Sequence, residues 1–559
     1  YTLYSGLQTP HRNRADIAGN ILHIPETKLR VVANDVGGSF GMKGGTYREQ
    51  PLVLWAARKT GRPVKWLSER AEALLTDNHA RDNQTSAELA LDADGKVLGL
   101  RVKTVVNVGG QLSSRGPHSG IANLGSLSGT YVLPAIHVEV TGVFTNSGST
   151  SAYRGAGRPE AAYVIERLLD IAADEMGIDP AELRRRNTIP PIAEPYDTGF
   201  VFTYDSGDFG ANMEIALKMA DYDGFEARRS EAKARGKLRG IGISNTIEQA
   251  AGRGYESAQI RFSPTGAVTL ILGTISHGQG HETVFTQILC EQLGLDPARI
   301  RVVEGDTDQV TTGTGTFGSR SAALAGSAIK LAADKVIEKA KRLAAHLLEA
   351  AADDIEFADG VFRIAGTDRE IGFDAVAALA YNADKLPPEI EAGLDETALF
   401  NPPAPNFPNG CHVVEAEVDP DTGKVALVKY SIVDDVGVTL NPPLLKGQIH
   451  GGVAMGMGQA LMEDVNYDPD SGQLLSGSFM DYCMPRADDF CDMEIESNNT
   501  PTPSNPLGVK GAGEAGTVGS LPAVVNAVVD ALSPLGIKHV DMPLTPERVW
   551  RAIQNARAS

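Results

Sequence analysis

The chain carries 559 residues and a formal charge of −20, from 51 Lys or Arg against 71 Asp or Glu. That balance argues against polyanion binding as the main role, so any phosphate held here needs backbone amides and a few local cations. The length exceeds what one compact core buries, so two or more subdomains are expected, and 42% apolar with 22% charged residues is ordinary for a globular protein. Glycine, at 60 residues, is enriched and clustered, which points to tight loops converging on something rather than to flexible linkers. Cys290, Cys411, Cys483 and Cys491 show no CxxC spacing and are read as buried or incidental thiols, with no zinc, iron–sulfur or disulfide signature. No apolar run is expected to reach the ~18 residues of a membrane span, and the first thirty residues lack a signal-peptide core, so a cytoplasmic location is expected. The chain begins at Tyr1 rather than Met, so its start is expected upstream.

Residues 28–34 read as a strand, Gly37-Gly38-Ser39-Phe40-Gly41 as a loop, 49–59 as a helix closed by Gly61, and 63–68 as a second strand. Residues 85–108 alternate and read as a long strand with a turn at Asp94-Gly95, followed by a helix over 160–176. Arg184-Arg185-Arg186 sits in the last turn of a helix before Asn187, where cations complement the dipole, a structural role. Residues 189–208, with Pro190-Pro191 and Pro195, read as an irregular connection and residues around 213–234 as a helix. A basic stretch ends at Gly236, where the subdomain boundary is placed: 1–236 and 237–559. The second part opens with the same grammar: strand 267–272, loop His277-Gly278-Gln279-Gly280-His281, helix 283–293 with Gly294 at its end, strand 300–304. Strand, glycine loop, helix, strand is the pattern of a parallel crossover unit, with the loop free for a ligand at the helix start. Residues 322–352 read as a helix of about eight turns, and the Pro-rich 387–408 as a surface excursion. Residues 448–463 read as a glycine-rich helix suited to close packing, and 521–532 as an apolar helix.

Gly511-Ala512-Gly513-Glu514-Ala515-Gly516 puts one carboxylate in a glycine-dense loop at the start of that last helix. With little side-chain cover of its own, and with amide groups and a helix dipole facing whatever it faces, Glu514 suits a general base in a cofactor pocket. The plain alternative is a tight turn with a solvated glutamate. Four further glycine loops keep it company: 37–41, 154–157, 278–281 and 315–321. One such loop is weak evidence; five are not.

Val36-Gly37-Gly38-Ser39-Phe40-Gly41-Met42-Lys43 resembles the first cofactor loop of the xanthine dehydrogenase and aldehyde oxidase family, and Ala152-Tyr153-Arg154-Gly155-Ala156-Gly157-Arg158-Pro159-Glu160 resembles its substrate-side loop. Gly278–Thr283 and Gly315–Ser321 are similar to its loops around the pterin and phosphates, and 511–516 to the loop bearing its catalytic glutamate. The matches keep the family's order over nearly the whole chain. The resemblance implies a mixed α/β (α+β) fold of two elongated molybdopterin-binding subdomains, 1–236 and 237–559, with the cofactor between them and the glutamate on the second. It implies a molybdenum hydroxylase large subunit with a molybdopterin cofactor, as the cytosine dinucleotide. Oxidation of an aldehyde or N-heterocycle would use water-derived oxygen, with Glu514 as general base. Gly38, Phe40, Gly41, Arg154, Gly155 and Gly513 would line the metal end; Gln279, Gly280, Gly318, Ser319, Arg320, Ser321, Gln448 and Lys510 would hold pterin and diphosphate; Tyr153 and Ala156 would face substrate. Molybdenum would be held by the pterin dithiolene, with no direct protein ligand. The [2Fe–2S] and FAD centres would sit on a small iron–sulfur subunit and a flavin subunit, in a dimer of heterotrimers, with no nucleic acid and no membrane span.

Within the family, carbon monoxide dehydrogenases carry a copper-binding cysteine after the loop arginine; here that position is Gly155, leaving copper no soft ligand. The loop resembles the form II chains that share the carbon monoxide dehydrogenase name. Purine-oxidising members place a glutamate shortly after the first loop's lysine, whereas Lys43 precedes Gly44-Gly45, and Ala156 stands where they use a bulky aromatic. A roomier pocket is expected. Family members also have a substantial N-terminal portion before the region of Gln8-Thr9-Pro10-His11, and Gln8 stands too far along the motif order to be that portion's metal-facing glutamine. The sequence is thus expected to be a fragment, to rely on a separate chain, or to be a non-catalytic scaffold. A nicotinamide enzyme is disfavoured, because no G-x-G-x-x-G follows a strand with an acidic residue about twenty positions on.

Overall fold

A computed structural model describes the chain from residue 1 to 558 apart from Arg115, Pro117, Asn123 and Arg253, with the side chain of Ser119 also outside the description. Thr2–Tyr4 and Arg30–Val32 pair in parallel near the N-terminus. Asn83–Leu91 and Val97–Asn107 form the expected hairpin across Asp94-Gly95, and Ile136–Val143 joins it in parallel. Leu100 and Val102 of this sheet share a core with Ile165 and Leu169 of the Arg158–Met176 helix.

In the second half Val268–Leu272 and Ile300–Val303 run parallel, joined through the His281–Leu293 helix, as the pattern predicts. Gly294 ends that helix in the left-handed region at φ 63°, which its missing Cβ permits. Glu256–Phe262 and Glu396–Phe400 complete the sheet, and the Ser321–Leu348 helix covers it with Ala325, Ile329, Ala332, Val336 and Ala340, three or four apart and fully buried.

The sheet that anchors the site runs Met493–Ser497, Val425–Asp435, Asn409–Val418, Leu238–Ile247. It is covered on both faces, and period-two alternation decides which side chain goes where. Val414, Ala416 and Val418 meet the Ala515–Leu532 helix, while Cys411 and Val413 meet Met213, Ala216 and Leu217 of the Phe209–Met219 helix. Cys411 is therefore a core thiol. The glycine-rich helix spans Pro442–Leu461, and a Cβ on its Gly452 would stand 2.9 Å from Gly516 Cα, the close packing its composition suggests.

The structure corrects several expectations. Residues 63–68 form no strand: the place beside Arg30–Val32 is taken by Thr2–Tyr4, Pro63 lacks the amide a ladder needs, and the segment is exposed. Only the second crossover unit exists as such. The helix expected around 213–234 is two, Phe209–Met219 and Phe225–Ala234, broken where Asp221 turns left-handed at φ 49° within an Asp-Tyr-Asp-Gly run. The 387–408 stretch is not simply a surface excursion: it contains Glu396–Phe400, a sheet strand, and buried Asn406 and Phe407. An apolar helical run does reach membrane-spanning length, Ala515–Leu535, and it lies mostly buried in the core. It starts six residues earlier than expected, which makes Glu514 its N-cap residue. Arg184 is fully buried, 2.8 Å from Glu166 and 2.7 Å from Asp170, with Tyr131 donating to Glu166 at 2.5 Å. Its structural reading holds, through ion pairing more than through the dipole.

A cavity walled by five loops

One cavity of about 920 Å³ gathers residues from all five glycine loops. Four of these loops end on a helix: Gly157 caps Arg158–Met176, Gly280 caps His281–Leu293, Arg320 precedes Ser321–Leu348, and Glu514 precedes Ala515–Leu532. The Pro442–Leu461 helix adds a fifth start, with Asn441 as its N-cap. In a chain of net charge −20, convergent positive dipole ends make this a place for an anionic ligand. Three loops hold one non-glycine residue left-handed, Phe40 (φ 51°), Ala156 (φ 38°) and Ser319 (φ 51°), a cost of order 1–3 kcal/mol each that cores rarely tolerate and functional sites often do.

Glu514 sits where the second, fourth and fifth loops meet. Its Oε1 accepts from the Gly155 amide at 2.8 Å, its Oε2 accepts from the Ser319 hydroxyl at 2.8 Å, and Arg158 Nη1 lies 3.2 Å from Oε2. Only 13% of the side chain is exposed. The expected lack of cover holds within its own loop but not in space, where neighbouring loops clothe it. Burial alone would push its carboxyl upward; the Arg158 charge, the Gly155 amide and the Ser319 hydroxyl outweigh that and hold it below the usual carboxylate range. It faces the cavity ionised.

Arg154 stitches the loops together. It donates to Gly513 O at 2.6 Å and Gln448 O at 3.0 Å, and its guanidinium lies 5.5 Å from the Phe40 ring centre. Gln279 pairs with His281 at 3.0 Å, and burial together with the His281 charge pushes His277 down to about 4. Tyr153 and Ala156 line the cavity, as do Phe40, Gly41, Gly280, Gly318, Ser321 and Gln448. Gly38 and Gly155 do not; Gly155 reaches the site through its amide, and Gly38 O accepts from Lys43 at 2.7 Å. Lys510 and Arg320 border the cavity but spend their charges elsewhere, Lys510 on Asp435 at 2.6 Å and Arg320 on Glu256. Gln8, set aside in the sequence, is buried and bridges two loops, accepting from Gly41 N at 3.0 Å and donating to Thr316 O at 2.9 Å. Arg158 stood in a quoted motif without a role. Glu248, just past the Leu238–Ile247 strand and 1% exposed, gave no local signal at all.

Residues 1–188 and 215–491 each match a family model described as a molybdopterin cofactor-binding domain. The carbon monoxide dehydrogenase large chain of Hydrogenophaga pseudoflava is 37% identical over 99% of this chain and 71% of its own length. The chain belongs to the molybdopterin-binding large subunits of the molybdenum hydroxylases. This large subunit is also 36% identical, over 97% of its length and 69% of the relative's, to the 6-hydroxypseudooxynicotine dehydrogenase complex subunit gamma of Paenarthrobacter nicotinovorans. The crystal structure of quinoline 2-oxidoreductase from Pseudomonas putida 86 superposes at a TM-score of 0.92 with 36% identity, covering 99% of the large subunit and 72% of that chain. The family is one of molybdenum-dependent oxidoreductases, and the mixed α/β fold is theirs.

The large subunit's residues fit a molybdopterin cofactor. A Cβ on Gly278 or Gly318 would meet no protein atom within 4 Å, so the backbone there is bare toward the cavity. Ser39 Oγ is buried at the cavity wall with no hydrogen-bond partner among the described residues, a place for a polar ligand atom. Among the described residues no three His, Cys, Asp or Glu side chains cluster to hold a metal.

Proposed function

We propose that this large subunit hydroxylates an aldehyde or an N-heterocycle, with Glu514 as general base. The observation that carries the reading is one ionised, largely buried carboxylate opening onto a cavity ringed by helix starts. When bound, the molybdenum–pterin group supplies the metal centre that activates water-derived oxygen and accepts two electrons. The chain's part is to orient and to move one proton. Glu514, fixed by Gly155 and Ser319, takes that proton on a carboxylate oxygen, and Arg158 balances the charge before transfer. Gln279, Gly280, Gly318, Ser321 and Gln448 would hold pterin and diphosphate in the cytosine dinucleotide form, with Lys510 and Arg320 bordering them. Phe40, Gly41, Arg154 and Gly513, with Gly155 through its amide, would surround the metal end, between lobes 1–236 and 237–559.

The substrate reading rests on Tyr153, Ala156 and Gly155. Gly155 has φ +100°, and a Cβ there would stand 2.4 Å from Pro159 Cγ, so the loop is not shaped for the cysteine that copper would need. Ala156 leaves room for a flat ring, and a relative named for quinoline supports an N-heterocycle. Electrons would leave to a [2Fe–2S] subunit and a flavin subunit in a cytoplasmic dimer of heterotrimers. The relatives named as a large chain and as a complex subunit support this.

Elemental analysis of the natively purified complex should find molybdenum without copper. Glu514→Gln should keep that molybdenum and lose turnover by roughly 10²–10⁴-fold. Near-normal turnover removes the general-base assignment, and absence of molybdenum in a host that makes the cofactor favours a scaffold.

A further inference from the structure

Behind Glu514 lies a second carboxyl that the reaction as proposed does not use. Glu248 is 1% exposed, and neither of its oxygens accepts a hydrogen bond from any described residue. An ionised carboxylate buried without donors is costly by several kcal/mol. The contacting cation is shared: Arg158 Nη1 stands 3.2 Å from Glu514 Oε2 and 4.0 Å from Glu248 Oε1. Arg158 also donates to Gly155 O and Gln249 O, while its Nε has no partner among the described residues. Arg154 donates to Gly513 O and Gln448 O and forms no ion pair with either carboxyl, and Lys510 and Arg320 are paired with Asp435 and Glu256. Two carboxyls thus contact one positive charge, and one proton balances them. Glu514 has three donors for its charge and Glu248 has none, so the proton belongs on Glu248.

We propose that Glu248 is a neutral carboxylic acid whose O–H is directed at Glu514, a positioning residue that keeps Glu514 ionised and aimed at the cavity. Burial first, and then the Glu514 charge, drive the Glu248 carboxyl well upward, with Arg158 and the Ser319 hydroxyl only partly offsetting them, and Glu514 is within its hydrogen-bond reach. The pair is a carboxylic acid hydrogen-bonded beside a carboxylate, which favours the charged member as any donor does. No electron moves and no bond other than hydrogen bonds changes; the acid proton stays on Glu248 through the cycle.

The assignment of a base role to Glu514 underlies this inference, and the first test does not depend on it. Infrared spectra of the full cofactor-free chain at neutral pH should show the carbonyl stretch of a buried protonated carboxyl. Glu248→Gln should remove that band and Glu514→Gln should leave it. A band lost in Glu514→Gln and kept in Glu248→Gln places the proton on the wrong residue and overturns the proposal, as does a wild-type spectrum with no band. In the assembled enzyme, Glu248→Leu should raise the acid-limb pKa of the kcat/KM profile by about one unit, a tenfold loss of ionised base on that limb. Glu248→Gln, whose amide still donates, should restore the limb. An unmoved limb in Glu248→Leu overturns the positioning role even if turnover falls.

Discussion

The buried carboxylate clusters around Arg184 and around Arg158 are built to opposite standards. Around Arg184, both oxygens of Glu166 are bonded, one to the guanidinium and one to Tyr131, and the remaining arginine donors reach Asp170 and the carbonyls of Pro180 and Ile243. Around Arg158, Glu514 opens onto a cavity and Glu248 has no donor. Similar residue types at similar depth therefore do different work. A carboxylate with both oxygens bonded, as in Glu166, fixes a structure, whereas one short of donors, as in Glu248, is held neutral. The difference is legible only in space, since both arginines belong to ordinary helices.

Breaking the saturated cluster should have the larger effect. Arg184→Leu strands Glu166 and Asp170 and should cost about 3–5 kcal/mol in urea unfolding. Arg158→Lys keeps the charge but loses the fork that ties Gly155 O and Gln249 O to Glu514. It should reduce turnover about tenfold with little change in the unfolding midpoint. If it unfolds the protein as Arg184→Leu does, the two clusters do not differ in kind.

His277 gives a third case, a buried group kept neutral. Its folded pKa of about 4 lies below the ordinary histidine value, so the unfolded chain binds its proton more readily. Stability is then complete above about pH 6.5 and falls as pH drops toward 4, by about 3 kcal/mol from this residue. His11, also lowered to about 4 by burial and Arg14, acts with the same sign, so His277→Asn should flatten roughly half of that slope. An unchanged slope would mean His277 is charged in the fold. The smallest effect belongs to Arg101 and Glu88, 2.7 Å apart but 70% and 69% exposed. Arg101→Ala should move stability by less than about 0.5 kcal/mol, which marks the floor of the series.

How far the sequence carried differs between fold and site. Long periodic helices and the second crossover were legible because local spacing decides them. The 63–68 strand failed because a strand needs a partner, and Thr2–Tyr4 already held that edge. The break at Asp221 was missed by reading apolar spacing across an Asp-Tyr-Asp-Gly turn. In the site, glycine loops announced themselves by composition and brought Glu514, Ser319, Arg154 and Gln279 together. Gln8 and Glu248 carry no motif, and their importance comes from burial and from what they face. Lys510 and Arg320 show the converse: a cation in a matching loop whose charge is already spent on Asp435 or Glu256.

The Ala515–Leu532 helix sets the order in which this molecule can be completed. Its backbone rests on Gly240 and Gly242 of a strand made hundreds of residues earlier, and its Asn526 accepts from Arg167 at 2.8 Å, farther back still. During synthesis that strand's face and the Arg158 loop must wait, uncovered, until this helix is made, a high contact order that slows folding and invites chaperone binding. The same delay keeps Glu514 away from its partners. Cofactor insertion therefore belongs after this helix has been made, when the glutamate and the helix that delivers it arrive together.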